Sequence, residues 1–505
     1  MKNNLSDDTD SLARVESGAF VLTLFQVTSK VLLALFYLLL ANRLFFPEAA
    51  FGSLLGILAL VELFLIPADM GLETYTTRRL SRSLGETNEW IARQATTKLL
   101  LTLLACGLFV GWVIGVGRTG DQASDAVSGI VVLACVMRLA GQSAQSYLRS
   151  VSRAHNRMSF EGAFMVLEKV VIVGLGGIVL YRGASLENII WCFALGALAA
   201  AIYIAWKVKR IEPVLRIAFL PDLKVLGPAF PFAISAVCVS LFYNMDRAML
   251  LYWGGGEWVA PYGRGFQVTL AALLFPQMVS ISLYPVLSQM KGDPEERLRV
   301  GRGALRTLFF IVMPVVAGGW ALAGPLMDFI AGSDEAGGLV WGLDGYLGWD
   351  SLLGNNTESA CLRVLLLGLP FQCGNYLFGP ALNALNREVW NLRASALTLG
   401  VAFVANLAMI PLLGPLGAAL ATLLTQAIYC FLLYRYLRKE DGSWWRGNGL
   451  LPICLIAGLM GIGVWFMADI HLFIRIAIGG AAYLVAGSFL GMAPDWRSLT
   501  RGQRR

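Results

Sequence analysis

One feature constrains this chain more than any other: apolar runs as long as a bilayer is thick follow one another almost without pause. They fall near 18–42, 50–74, 98–117, 125–149, 159–180, 187–207, 228–252, 262–288, 304–330, 359–384, 388–411, 415–437, 448–468 and 472–492. A membrane-spanning helix needs about 20 such residues. Of the 505 residues, 57% are apolar and only 14% charged, against about 45–50% and about 25% in ordinary soluble domains. That leaves too little polar surface to coat a soluble enzyme, a disordered scaffold or a nucleic-acid-binding module. In lipid every backbone polar group must be satisfied internally, so only helices and closed barrels can span. The runs are rich in Leu, Ala, Gly and Ile without period-two alternation, which selects helices over a barrel. The expected fold is an all-α integral membrane protein with about fourteen transmembrane helices.

The basic residues give that count an internal check, because cytoplasmic loops carry an excess of Lys and Arg. With a cytoplasmic N-terminus the even-numbered loops must hold them. They do: Arg78, Arg79, Arg82, Arg93 and Lys98; Arg149, Arg153 and Arg157; Lys207, Lys209, Arg210, Arg216 and Lys224; Lys291, Arg297, Arg299, Arg302 and Arg306; Arg387; Arg435, Arg438, Lys439 and Arg446. With Lys2, Arg14, Arg497, Arg501, Arg504 and Arg505 in the tails, 29 of the 40 basic residues fall on one side. The other side has Arg43, Arg118, Arg182 and Arg475. A miscounted span would invert the pattern downstream, and it never inverts. Both termini are therefore expected in the cytoplasm, and the net charge of +7 is largely a topology signal that calls for no nucleic acid. The longest outer loop, 331–358, is acidic, with Asp334, Glu335, Asp344, Asp350 and Glu358 and no Lys or Arg.

Metal and cofactor chemistry find little support. The eight cysteines all lie in apolar runs and form no C-x-x-C pair, so they read as small hydrophobes. The two histidines, His155 and His471, lie far apart in sequence, which argues against a histidine metal site or a catalytic triad. No metal and no cofactor is expected.

The chain also resembles itself. Glu48, Phe51-Gly52 and Pro67 resemble Glu257, Tyr262-Gly263 and Pro276, about 210 residues later. Ala154-His155-Asn156-Arg157 resembles Ala384-Leu385-Asn386-Arg387, and Ala201-Ile202-Tyr203 resembles Ala427-Ile428-Tyr429. Their order predicts two six-helix pseudo-symmetric lobes, 18–210 and 226–440. A cytoplasmic tail (1–17) precedes them, a linker (211–225) joins them as a surface-lying amphipathic helix or an ordinary loop, and spans 441–492 and a basic tail (493–505) follow. Parallel repeats of this kind are a transporter feature, with the substrate path between the lobes.

Seven basic residues remain inside the spans: Lys30, Arg138, Lys169, Arg247, Arg264, Arg363 and Arg393. A charge at a helix centre costs about 2.5–3.5 kcal/mol on insertion scales, so such residues pair or line a wet cavity. Lys30, Arg138 and Lys169 fall deepest. Helical spacing puts Gln26 with Lys30, Arg138 with Gln142 and Gln145, and Ser240 with Asn244 and Arg247 on common faces. The opposing reading is internal pairing, with Glu62, with Glu168 beside Lys169, or with Asp246 beside Arg247. Glu62, Asp69 and Glu73 recur at i, i+7 and i+11 on one face of span two. Asp69 and Glu73 lie near Arg78 and Arg79 as partners, and Glu62 is either a partner of Lys30 or a protonatable site. Pro67, Pro276, Pro314, Pro325, Pro370 and Pro380 are expected to kink their helices.

Three stretches carry a family resemblance. Arg43-Leu44 through Phe51-Gly52, then Pro67-Ala68-Asp69-Met70-Gly71-Leu72, resembles the first hairpin of the polysaccharide transporters of the MOP superfamily. Pro231-Phe232-Ala233 with Asp246 and Tyr262-Gly263 resembles the start of their second lobe. Ala381-Leu382-Asn383-Ala384-Leu385, then Ile410-Pro411, Gly414 and Gly417-Ala418-Ala419, resembles their late hairpin. The resemblance covers about 20–440 and is to the Wzx-type O-antigen and exopolysaccharide flippases. It implies a multi-pass carrier of the bacterial inner membrane that moves undecaprenyl-pyrophosphate-linked oligosaccharides outward among membrane lipids, alongside a polysaccharide polymerase complex. A pyrophosphate would be drawn to Lys30, Arg138 and Lys169, with Gln26 and Gln142 beside them and Arg247 and Arg264 at the outer exit. Ion coupling is the family expectation, with Glu62 and Asp69 as candidate carriers.

Other readings stay open. Ser29-Lys30-Val31-Leu32 resembles the first helix of the lipid II flippases, but Leu35-Phe36-Tyr37 stands where a second basic residue is expected. Multidrug exporters of the superfamily usually carry a carboxylate in the first span, and none lies between Gly18 and Ala41. An integral-membrane polymerase or ligase would use a long outer loop with basic or histidine residues, and this loop has neither. A channel or structural membrane protein is disfavoured by twin lobes with deep cations in only one.

Overall fold

A computed structural model describes residues 24–82, 88–117, 128–154, 158–183, 185–211, 220–290, 294–332, 357–445, 449–467 and 470–492. The tails, most of the inter-lobe linker, most of the long outer loop and His155 lie outside them. Every long element is an α-helix. In chain order they are α1 (Leu24–Ala41), α2 (Glu48–Asp69), α3 (Leu72–Arg82), α4 (Asn88–Gly117), α5 (Gly129–Ala154), α6 (Met158–Tyr181), α7 (Leu186–Ile211) and α8 (Leu226–Ala272). There follow α9 (Leu274–Gln289), α10 (Pro294–Ala321), α11 (Ala323–Ala331), α12 (Thr357–Ala384), α13 (Glu388–Leu413), α14 (Pro415–Asp441), α15 (Leu450–Phe466) and α16 (Leu472–Phe489).

Eleven helices among the described residues are long and apolar enough to cross a membrane, and the protein is an all-α multi-pass membrane protein. Their outward faces are apolar: Leu99, Leu103 and Leu104 on α4, and Leu451, Leu455, Leu459 and Ile462 on α15, are exposed. In lipid such faces need no cover, and helices are held together by packing and by polar contacts instead. α5 shows the complementary pattern. Its buried side carries Arg138, Ser143, Gln145, Ser146, Ser150 and Ser152, while Ile130 and Leu133 face out.

The chain divides into two compact units, one of residues up to Leu40 with Leu44–Glu257, the other of Ala41–Arg43 with Trp258 onward. The division falls beside Gly255, whose φ of 61° and ψ of −160° interrupt α8. The first part of α8 thus packs with the first unit. There a core of Leu72, Trp90, Ile91, Tyr147, Leu148, Phe164, Ile204 and Ala229 ties α3 through α8 together, and the Tyr147 hydroxyl donates to the Ile91 carbonyl at 2.7 Å.

Span two differs from the expected 50–74. α2 stops at Asp69 because Met70 and Gly71 take positive φ, 46° and 75°. Glu73 therefore belongs to α3, and the i, i+7, i+11 spacing does not place it with Glu62 and Asp69. The prolines also behave differently from expectation at two sites. Pro276 and Pro325 sit in the first turns of α9 and α11, just after breaks at Leu273 and Leu322, where the missing N–H removes no bond. Pro67, Pro314, Pro370 and Pro380 lie inside continuous helices.

Gly71 combines two demands. Its φ disfavours any L side chain, and a Cβ there would lie 2.5 Å from the Ala233 nitrogen and 2.6 Å from the Ala229 carbonyl oxygen. Gly71→Ala is expected to destabilise the purified protein by about 1–3 kcal/mol, read as a lower melting temperature in detergent. A melting point equal to the parent's would show that α8 does not rest on this turn.

Candidate functional site

The deepest polar constellation of the first unit is built around Glu62 on α2. Arg138 Nη2 donates to its Oε1 at 3.1 Å and Gln142 Nε2 to the same oxygen at 2.9 Å. The i, i+4 spacing on α5 puts both donors on one face, as the sequence predicts. From α8, the Ser240 hydroxyl donates to the Glu62 carbonyl at 3.2 Å and Asn244 Nδ2 to the Ser240 carbonyl at 3.0 Å. Arg247 Nη2 in turn donates to Asn244 Oδ1 at 2.8 Å. The stripe Ser240, Asn244, Arg247 thus runs along the helix that meets Glu62.

Two features mark this pair as incomplete. Arg138 is only 6% exposed, yet its Nε and Nη1, and Gln142 Oε1, make no hydrogen bond among the described residues. A buried polar group left unmade costs about 1–3 kcal/mol, more for a charged one. The Glu62 side chain, by contrast, is 36% exposed. Sequence reasoning gave no role to the aromatic wall beside them. Phe193 of α7 lies 5.3 Å from the Arg138 guanidinium and 6.1 Å from Tyr37 of α1, nearly parallel to it. Tyr37 is within electrostatic reach of Arg138, Arg247, Glu62 and Glu168. The available signal was spacing: Tyr37 follows Lys30 by two turns on the same face of α1.

Lys169 Nζ donates to Glu168 Oε1 at 2.6 Å, and Gln145 Nε2 donates to the Ala197 carbonyl at 2.8 Å. Lys30 is exposed and Gln26 half-buried on α1. Arg264 belongs to the second unit and is fully enclosed. Its Nη1 donates to Glu358 Oε1 at 2.5 Å and its Nε to the Ala41 carbonyl at 3.0 Å, while Arg43 shares the same carboxylate oxygen at 2.8 Å. One carboxylate thus holds both guanidinium groups. Arg363 lies over Trp320 at 5.4 Å, and Arg393 is exposed.

Asp69 and Glu73 find partners other than Arg78 and Arg79. Asp69 accepts from Lys98 Nζ at 2.5 Å and from the Ser146 hydroxyl at 3.2 Å. Lys98 is only 4% exposed, because α4 begins at Asn88 and carries it into the bundle. Glu73 is held by Arg149 and Arg153, and Arg153 also grips Glu161. Arg79 instead lies over the Trp90 ring at 4.6 Å. The turn at Met70-Gly71 redirects α3 and so exchanges the partners. All eight cysteines are free thiols, and no group of three or more His, Cys, Asp and Glu among the described residues is arranged to hold a metal ion.

The model of the polysaccharide biosynthesis protein family matches residues 15–291. This chain belongs to that family and is a flippase-like, multi-pass transporter of the MOP superfamily. The probable low-salt glycan biosynthesis flippase Agl15 of Haloferax volcanii is 23% identical over 449 residues, 88% of this chain and 85% of that protein. The probable flippase AglR of the same archaeon is 27% identical over 195 residues, 39% of this chain and 38% of its own. Among solved structures, the lipid II flippase MurJ in an inward closed conformation superposes with a TM-score of 0.72. The match spans 92% of this chain and 98% of that one at 17% identity. An inward-facing multidrug-resistance MATE transporter gives 0.57 over 84% and 96%, at 16% identity. At such identities the likeness is one of fold.

Glu358→Ala should remove the carboxylate that grips the enclosed Arg264 and cost about 3–5 kcal/mol, read as loss of the melting transition or of folded yield. Unchanged stability would mean that Arg264 is satisfied by carbonyls alone.

Proposed function

We propose that this chain translocates undecaprenyl-pyrophosphate-linked oligosaccharide units across the bacterial inner membrane for polysaccharide synthesis, whether O-antigen, exopolysaccharide or capsule. The observation that carries the reading is the half-made ion pair at Arg138. A buried guanidinium with Nε and Nη1 unbonded, opposite a carboxylate that is over a third exposed, is placed to exchange Glu62 for a ligand anion. A pyrophosphate oxygen would make charge-assisted bonds there in place of its lost water. Lys30, Lys169, Gln26, Gln142 and Arg247 supply further donors toward the headgroup, and Arg264 acts by holding its own unit. The name of the archaeal relative Agl15, a probable glycan biosynthesis flippase, supports a glycan as cargo. Translocation is by alternating access around the cationic cavity, and the partners are the lipid-linked glycan, the surrounding lipids and a polysaccharide polymerase complex.

The same reading includes fourteen spans, both termini in the cytoplasm and two six-helix lobes at 18–210 and 226–440. Three segments bring the eleven apolar helices to fourteen. α5 is excluded only by its inward polar residues, α8 with α9 makes two crossings about Gly255, and α15 is short. Helix ends also recur where the sequence repeats: α5 ends at Ala154 and α12 at Ala384, α2 starts at Glu48, and α8 resumes beside Glu257. Glu62 and Asp69 are the carboxylates proposed for ion coupling.

A lipid II flippase is the alternative that the MurJ-like fold favours. The two differ in whether the cargo is a glycan or carries a peptide.

Arg138→Ala and Lys30→Ala should each lower translocation at least about tenfold, since hydrogen bonds to charged groups are worth about 1.5–3 kcal/mol. Lipid-linked oligosaccharide should then accumulate on the cytoplasmic face at parental protein abundance. Normal transport by both variants would remove the proposal. Glu62→Gln should abolish any dependence of flux on a proton or sodium gradient; parental flux indifferent to both gradients would reject coupling. A reporter fused after Arg82 should be active only in the cytoplasm and one after Arg182 only outside; the reverse pattern would overturn the orientation.

A further inference from the structure

The aromatic wall beside Arg138 has no part in binding an anion, and its construction is too specific for simple core packing. Phe193 is 1% exposed and packs against both the Arg138 guanidinium, at 5.3 Å, and Tyr37, with centroids 6.1 Å apart and 24° between planes. Phe36 backs it at 6.3 Å and fills the space where a Cβ on Gly176 of α6 would stand. Two rings are thus locked in place, while Tyr37 remains half-buried. Its hydroxyl has no hydrogen-bond partner among the described residues. A tyrosine packed only for its apolar ring would normally bury or bond that hydroxyl. Here a rigid ring with a free polar tip lies at the edge of a guanidinium site, two turns along α1 from Lys30.

A glycosyl pyrophosphate has the matching layout. The anion and the first sugar are directly bonded, and a pyranose has an apolar face of C–H groups with hydroxyls around its rim. An aromatic body with a polar tip suits both parts. We propose that Tyr37, backed by Phe193 and Phe36, is the residue that contacts the first saccharide of the cargo. The ring stacks on the C–H face and the phenol bonds a ring hydroxyl while Arg138 takes the adjoining phosphate. This rests on reading Arg138 as the headgroup site. It assigns Tyr37 to discrimination between glycosylated and bare lipid pyrophosphate. It also gives a physical meaning to an uncharged residue where the lipid II flippases are expected to carry a base.

The test uses the full chain purified in detergent, with farnesyl pyrophosphate and farnesyl-pyrophosphate-linked N-acetylglucosamine as probes and binding followed by native mass spectrometry. The parent should bind the glycosylated probe about tenfold tighter than the bare one. Tyr37→Ala should erase that difference while leaving bare-probe affinity within about twofold, which also reports that the site is folded. Tyr37→Trp should keep most of the preference. Arg138→Ala should weaken both probes together. A parent that does not distinguish the probes, or a Tyr37→Ala variant that weakens both equally or neither, overturns the role of Tyr37. An Arg138→Ala variant that binds both probes normally overturns the headgroup reading itself.

Discussion

The first unit depends on one constraint: polar groups inside a bilayer must be turned toward each other, because lipid offers them nothing. α5 shows it most directly. A helix bearing Arg138, Gln142, Gln145 and four serines between positions 143 and 152 would be expelled from lipid as a lone span. It is held because α2, α3, α4 and α7 pack around it and α2 supplies Glu62. The carboxylate compensates an arginine only 6% exposed, and breaking such a pair costs about 3–5 kcal/mol.

Not every buried pair serves the same end. Arg297 with Asp441 is enclosed on both sides, 5% and 1% exposed, and reads as a fastener. The Arg138–Glu62 pair is asymmetric, with one partner enclosed and only partly bonded and the other within reach of an aqueous ligand. In a carrier the useful pair is the one that can be exchanged, since a fully satisfied cation gains little from a new anion.

The turn at Met70-Gly71 links packing to electrostatics. By ending α2 there, it lets the start of α8 approach at Gly71 and swings α3 so that Glu73 meets Arg149 and Arg153. Asp69 is left to Lys98. Two carboxylates that lie on one helical face in an uninterrupted span end in separate networks because two residues take positive φ.

Helical class, membrane location and the identity of the deep charges were legible in the sequence, because the period and length of apolar runs respond to the bilayer alone. The face shared by Arg138 and Gln142 was legible too, since both lie on one continuous helix. The partners were not. Glu62 meets Arg138 rather than Lys30, Asp69 meets Lys98, and Tyr37 meets Phe193, because each pairing joins helices far apart in the chain. Spacing along one helix carries no information about which neighbour it will face. The sequence determined which groups had to be hidden from lipid; only the packing of helix on helix decided which of them satisfy one another and which are left with bonds to offer.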